Sequence, residues 1–162
     1  MSTHFALAHI RSAVSPIDST LKTLRGEISS HPDPDTFGLI DSYEQFVGIG
    51  FTVCQTFLSL VHKGENKNTS IQTGPFYSDS EKSYAQITNA CANYWKHNYE
   101  WDKDNLSNQS KKTIETFDRL DVDVWAAYPL TEMFEALFSE NGSFDELLSH
   151  LNEWAIQTSR EF

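Results

Sequence analysis

The chain is poor in basic side chains and in cysteine. Of its 162 residues, 12 are Lys or Arg and 23 are Asp or Glu, which gives a formal net charge of −11 at pH 7. Nonspecific binding to nucleic acid or to an anionic membrane requires a basic face, so the total charge argues against both. Cys54 and Cys91 have no metal-ligating neighbour in the sequence, which indicates buried free thiols. Such thiols are typical of a reducing compartment, and we expect a cytoplasmic protein.

Several recognisable segments are also missing from the sequence. The N-terminus has no basic lead followed by a long apolar core, so we expect no secretory signal. The most apolar run, residues 46–61, is shorter than the roughly 18 to 20 residues that a bilayer requires, and we interpret it as a buried helix. A Gly-rich phosphate loop and a nucleophile elbow are absent, and we expect no cofactor. The length predicts a single domain over residues 1–162.

The acidic side chains are concentrated in the C-terminal third of the chain. Residues 1–112 contain 10 basic and 12 acidic side chains, whereas residues 113–162 contain 2 and 11. One interpretation is a solvated surface that keeps the protein soluble. The other is a docking face for a basic partner, such as a toxin or a nucleic-acid-binding protein. The pattern leaves both open.

Apolar residues recur every three or four positions along most of the chain, which predicts an all-α fold. We expect a compact helical bundle of about five main helices. The first carries an apolar stripe, and a second opens at Asp35 or Thr36 and forms the centre of the bundle. A third spans about residues 80–101, a short helix follows Ser110, and two more cover about 131–140 and 144–159. The stripe of the first helix consists of Leu7, Ile10, Val14, Ile17, Leu21, Leu24 and Ile28.

Proline and glycine predict local features of the first two helices. Pro16 is expected to break or kink the first helix, and Gly26 to end it. Gly48 and Gly50 lie inside the second helix, where each costs about 1 kcal/mol relative to Ala. We therefore expect them to permit the close approach of a neighbouring helix or backbone, and the alternative is a contact with a ligand.

The third predicted helix carries the polar side chains best suited to chemistry. At 100° per residue, Gln86, Asn93 and His97 gather at one edge of its apolar face, with Asn89 and Glu100 a little further round. Asn93 and His97 are one turn apart, about 6 Å along the axis, so both can reach one group. A histidine beside an amide and a carboxylate is suited to proton transfer near neutral pH. The alternative is a boundary histidine that is hydrogen-bonded by its neighbours.

A metal site is a weaker hypothesis. Glu146, His150 and Glu153 are spaced by four and three residues on the last predicted helix, and His97 with Glu100 forms half of such a set. Glu146 and Glu153 fall on the solvent side of the helix, which favours surface salt bridges. We expect no metal.

The segment Ala92-Asn93-Tyr94-Trp95-Lys96-His97, followed by Glu100 and Trp101, resembles the motif helix of HEPN domains. These domains are compact helical bundles common in prokaryotic defence and toxin–antitoxin systems. The order of elements is also similar: a long helical hairpin, the motif helix, a Pro-Leu turn at residues 129–130 and closing helices. The resemblance covers the whole chain at the level of this layout.

The resemblance implies a site and identifies one departure from the family pattern. Active HEPN domains are metal-independent ribonucleases with an Arg four to six residues before the His, often directly before a polar residue, and the site commonly forms across a homodimer. In this chain Asn93 matches the polar position and His97 the His, while Ala92 occupies the Arg position. An Arg supplied from elsewhere, with Arg11 and Arg119 as candidates by type, would be needed to stabilise charge on the phosphate.

Two classes of function follow. The first is a homodimeric HEPN-like component of a bacterial defence or toxin–antitoxin system, with no membrane association. It is either a ribonuclease, in which His97 moves a proton and Asn93 positions the RNA phosphate, or a catalytically silent relative. The alternative is an acidic antitoxin or immunity-type protein whose C-terminal carboxylates bind a basic protein partner.

Overall fold

The protein is a bundle of α-helices arranged around a central apolar helix. The computed structural model describes residues 2–62 and 66–160, with the backbone alone at residues 159 and 160. These ranges contain no β-strand, so the expected all-α class is confirmed. The helices are α1 (Thr3–Ser30), α2 (Leu39–Val61), α3 (Lys67–Ser70), α4 (Tyr84–His97), α5 (Asn108–Asp118), α6 (Pro129–Phe138) and α7 (Phe144–Arg160).

The first helix is longer than the sequence pattern predicts. It runs without a break through Pro16 and Gly26 to Ser30, so the expected break and early end are wrong. Val14 and Ile17 are buried on either side of Pro16, so the apolar stripe continues in phase across the proline. Packing of this stripe in the core outweighs the one backbone hydrogen bond that proline removes.

The second helix lies at the centre of the bundle. α2 contacts α1, α4, α6 and α7. A Cβ atom placed on Gly48 would lie 2.4 Å from the Trp95 ring, and one on Gly50 would lie 2.1 Å from the Phe144 ring. The expectation that these glycines permit close approach is confirmed, and the neighbours are aromatic side chains of α4 and α7.

The length of α2 corrects one expectation. The helix begins at Leu39, well before the apolar run at residues 46–61, and its 23 residues are long and apolar enough to cross a membrane. Of its most apolar stretch, 44% is buried inside the bundle. Shortness therefore does not argue against a membrane span, whereas the contacts of α2 are those of a core helix.

Two carboxylates join the closing helices to the α1–α2 hairpin. Glu44 of α2 accepts hydrogen bonds from the backbone N–H groups of Leu130 (2.9 Å) and Thr131 (2.7 Å) and from the Thr131 hydroxyl (2.6 Å). Asp18 of α1 accepts from the N–H groups of Phe144 (2.7 Å) and Asp145 (3.1 Å). Each carboxylate thus caps the N-terminus of a helix more than 80 residues away along the chain.

The segment between α4 and α6 packs against the bundle. Phe117, Val122 and Val124 are buried. α5 begins after Ser107, whose hydroxyl accepts from the Ser110 N–H, so the cap lies three residues before the predicted one. This placement sets α5 beside α4 and creates the clefts described next.

Candidate functional site

α4 presents an apolar face to the core and a polar edge to solvent. Its N-terminus is a capping box: the Ser83 hydroxyl accepts from the Gln86 N–H, and Gln86 Oε1 accepts from the Ser83 N–H, both at 3.0 Å. The α-helix ends at His97 and continues as one 3₁₀ turn, so the predicted extension to Trp101 as α-helix is wrong. His97 is therefore the last residue of α4.

His97 lies at the mouth of a cleft of about 270 Å³, here called the His97 cleft. The His97 side chain is 49% exposed. Its Nδ1 atom is 3.5 Å from Glu100 Oε2. The Glu100 carboxylate faces this ring nitrogen, so Nε2 is left for a ligand. The lining includes Asn93, Glu100, Trp101, Asp102, Asn105 and Ser107.

Asn93 lies in the wall between the His97 cleft and a second cleft of about 360 Å³. Asn93 is only 9% exposed, and its Oδ1 accepts a hydrogen bond from Gln55 Nε2 at 3.1 Å. The two residues singled out in the sequence thus line the same cleft. The described atoms show no direct hydrogen bond between them.

Gln55 is a polar residue of this region that the sequence pattern does not identify as part of a site. It lies on α2 and donates from Nε2 to Asn89 Oδ1 (2.9 Å) as well as to Asn93. Its Oε1 accepts from Lys96 Nζ at 2.7 Å. The one available signal is that Gln55 is an amide within the most apolar run of the chain. Lys96 therefore reaches α2 and connects to Asn93 through Gln55.

No guanidinium group lies at His97 in the part of the chain whose side chains are described. Arg11 Nε forms a salt bridge with Asp145 at 2.5 Å, and Arg119 Nη1 lies 3.4 Å from Glu81. Arg25 donates to the Tyr43 hydroxyl and to a backbone carbonyl. Neither Arg11 nor Arg119 therefore completes the site within one chain, and an Arg supplied by a second subunit stays a prediction.

Metal and thiol chemistry find little support in the geometry. Among the described residues, no three His, Cys, Asp or Glu side chains are grouped so that they could hold a metal ion. The His150 ring stacks on Tyr84 with centroids 3.9 Å apart and planes within 3°. Burial raises the pKa of the Cys54 and Cys91 thiols well above the ordinary value, which disfavours the nucleophilic thiolate.

The fold and the site define a class: an all-α bundle with a polar cleft that opens beside a half-exposed histidine. The chain matches no family model, no curated protein and no solved structure. The resemblance to HEPN domains accordingly rests on Asn93 and His97 and on the order of the helices, with Ala92 as the departure from the motif.

Proposed function

We propose that the chain is a HEPN-like component of a bacterial defence or toxin–antitoxin system. In this proposal it is a cytoplasmic homodimer that cleaves RNA without a metal ion. One observation carries the proposal: the His97 ring stands at the mouth of a cleft, with Glu100 beside Nδ1 and Asn93 in the wall. A histidine sealed in the core, or one without a cleft, would have no access to a substrate.

The proposed reaction needs a proton acceptor and a proton donor. His97 Nε2 takes the proton of a ribose 2′-hydroxyl, and the 2′-oxygen attacks the adjacent phosphorus. The bond to the 5′-oxygen of the next nucleotide breaks, that oxygen takes the proton from the His97 imidazolium, and a 2′,3′-cyclic phosphate remains. Glu100 stabilises the imidazolium that forms, because its carboxylate faces Nδ1. Asn93 positions the phosphate.

The reacting phosphate accumulates negative charge, which a nearby cation would stabilise. The described lining of the His97 cleft contains no Lys or Arg. Glu100 and Asp102 both line the His97 cleft, so its lining carries negative charge at neutral pH. In a homodimer, a cation of the second subunit supplies the missing charge. A domain that lacks such a cation is the catalytically silent form of the same proposal.

The test compares purified wild-type protein with two histidine variants on a labelled RNA in the presence of EDTA. His97→Ala is expected to lower the cleavage rate by about 10²-fold or more, the range attributed to a general acid–base group. His9→Ala is the matched control, because His9 is an exposed histidine of α1 outside the cleft. Cleavage by neither wild type nor His9→Ala, or equal cleavage by all three proteins, would contradict the proposed ribonuclease.

A second candidate function is an acidic protein that binds a basic partner. The ten described Asp and Glu residues between 113 and 160 are all exposed. Two of them, Glu115 and Asp145, form salt bridges within the chain. If this face binds a partner, neutralising Glu132, Glu135 and Glu140 to Gln will weaken binding of a Lys-rich peptide, and raising the salt concentration will do the same. Unchanged affinity of the triple variant would rule out this part of the face.

A further inference from the structure

A second cleft lies beside the His97 cleft, between α3, α4 and α5. It has a volume of about 360 Å³ and is here called the amide cleft. The His97 cleft and the amide cleft share Asn93, Gln109 and Thr113. Side-chain amides dominate the lining, which includes Asn68, Gln72, Gln86, Asn89, Asn93 and Lys112.

One lysine fixes the orientation of two of these amides. An ammonium group only donates hydrogen bonds, so the Gln55 atom that contacts Lys96 Nζ must be the oxygen. The NH₂ group of Gln55 is then the donor to α4, and the atoms that face it on Asn89 and Asn93 must be oxygens. The Nδ2 groups of both asparagines are consequently turned away from Gln55.

A backbone donor fixes the orientation of a third side-chain amide, that of Gln86. Gln86 Oε1 accepts the N–H of Ser83 in the capping box of α4. A backbone N–H cannot accept a hydrogen bond, so this contact assigns the oxygen of Gln86 and leaves Nε2 pointing elsewhere. Gln86, Asn89 and Asn93 follow one another at spacings of three and four residues on one helix edge.

The three NH₂ groups are open to the cleft. None of them has an acceptor among the described residues. Among the described residues, every buried side-chain nitrogen or oxygen atom has a hydrogen-bond partner. The three NH₂ groups have none, so they are not buried and solvent reaches them. Because all three side chains line the amide cleft, the cleft presents a row of donors about 10 Å long.

The described lining of the amide cleft has a charge opposite in sign to that of the whole chain. Among the described residues, Lys112 is the one charged residue of this lining, and none of them is Asp or Glu. The nearest carboxylate along α5, Glu115, is held by Lys82 in a 3.0 Å salt bridge. Lys67 lies next to Asn68 in the chain, and its pKa is lowered first by burial and further by repulsion from Lys96. In a chain of net charge −11, a cleft lined by a lysine and by hydrogen-bond donors favours an anionic ligand that accepts hydrogen bonds.

We propose that the amide cleft binds the phosphate group of a phosphate ester. Phosphate oxygens only accept hydrogen bonds at neutral pH, and they carry the charge that Lys112 complements. The volume is that of a small-molecule site. The ester is either a free nucleotide or the backbone of an RNA strand that continues toward His97. Binding at this site does not depend on proton transfer by His97.

The first experiment measures affinity for UMP, for an RNA decamer and for uridine as the ligand without phosphate. Asn89→Asp replaces a donor by a charged acceptor of the same shape, and it is expected to weaken binding of UMP and of RNA by about tenfold or more. Asn152→Asp adds the same charge at a half-buried position on α7 and is expected to bind as wild type does. Binding of UMP alone identifies a nucleotide site, and binding of the decamer alone identifies an RNA path.

The second experiment tests the orientation of the amides. Gln55→Glu keeps the partner of Lys96 but offers only acceptors to Asn89 and Asn93, so both asparagines must turn their NH₂ groups toward α2. Their oxygens then face the cleft. We expect a folded protein with an unchanged circular dichroism spectrum and a loss of phosphate-ester affinity of about tenfold. Full affinity in this variant would contradict the orienting role of Gln55.

The two proposals fail separately. His97→Ala is expected to bind UMP within about twofold of wild type even where it abolishes RNA cleavage, because His97 does not line the amide cleft. If wild type cleaves no RNA but binds phosphate esters, and Asn89→Asp weakens that binding, the amide-cleft proposal is supported and the ribonuclease proposal is contradicted. No binding of UMP or of the decamer by wild type, equal binding of uridine and UMP, or full affinity of Asn89→Asp would overturn the amide cleft.

Discussion

Single polar side chains decide what the α4 edge offers to a ligand. Asparagine and glutamine can present either a donor or an acceptor, so a row of them has no fixed preference of its own. Lys96 and the Ser83 N–H remove this freedom because each can act only as a donor. The preference of the amide cleft is thus set by groups that do not line it.

Glu44 leads to a prediction about pH. Burial is the largest cause that raises the pKa of Glu44 above its ordinary value of 4.5, partly offset by its hydrogen bonds to Thr131 and Leu130. As pH rises from below 4.5, the unfolded chain ionises first. The contribution of Glu44 to the free energy of unfolding, complete at low pH, therefore decreases until the folded carboxyl has also ionised.

The measurement is urea unfolding of wild type and Glu44→Gln at a series of pH values from about 3.5 to 8. The difference in unfolding free energy, wild type minus variant, is expected to fall with pH by at most about 1.4 kcal/mol per unit. Using the difference cancels groups that titrate equally in both proteins. A difference that rises with pH would show that the hydrogen bonds outweigh burial.

Residue positions on one helix were predictable, and partners from another helix were not. The spacing of Asn93 and His97 is a local property of α4, and it places both at the same cleft. Gln55 is 38 residues before Asn93, and their contact depends on how α2 packs against α4. Periodicity carries no information about that register.

At the scale of the helices, three glycines provide a graded test of close packing. Gly50→Ala places a Cβ against Phe144, which is fully buried and packs edge-on against Phe51 with centroids 5.2 Å apart. Phe144 has no room to move, so we expect a loss of about 1–3 kcal/mol in the free energy of unfolding. Trp95 is only partly buried, and Gly48→Ala is expected to cost less.

Gly26→Ala is the matched control for these substitutions. Gly26 also lies inside a helix, and a Cβ there would meet nothing within 4 Å. We expect a gain of about 0.5–1 kcal/mol from the helix preference of alanine. Chemical denaturation of the three variants measures the series. A loss at Gly26 equal to that at Gly50 would mean that the cost is not steric.

Helix ends were predicted less well than helix cores, because several ends depend on distant residues. α6 begins at Pro129, two residues before the predicted start, and Glu44 of the first hairpin caps it, whereas α7 begins at Phe144 as predicted. α1 continues past Pro16 because its stripe is buried on both sides. The apolar stripes within each helix, by contrast, are local and lie in the core as the periodicity predicts.

At the scale of the whole molecule, charge is separated between the surface and one cleft. The C-terminal carboxylates are exposed and mostly unpaired within the described part of the chain. Within the described ranges, the lining of the amide cleft has a lysine and no carboxylate. An anionic ligand must therefore approach a negatively charged protein, and only Lys112 and the hydrogen-bond donors at the cleft favour its binding.

This separation predicts that salt has opposite effects on folding and on phosphate binding. Raising NaCl from about 0.01 to 0.15 M shortens the Debye length from about 30 to about 8 Å, which screens repulsion among the exposed carboxylates. The thermal midpoint is therefore expected to rise, and to rise less in the Glu132→Gln, Glu135→Gln, Glu140→Gln triple variant.

Over the same range of salt concentration, UMP affinity is expected to fall, since salt screens the attraction to Lys112. A midpoint that falls with salt would mean that attractive pairs such as Arg11–Asp145 outweigh the net charge. A UMP affinity that rises with salt would mean that repulsion from the surface outweighs attraction within the cleft.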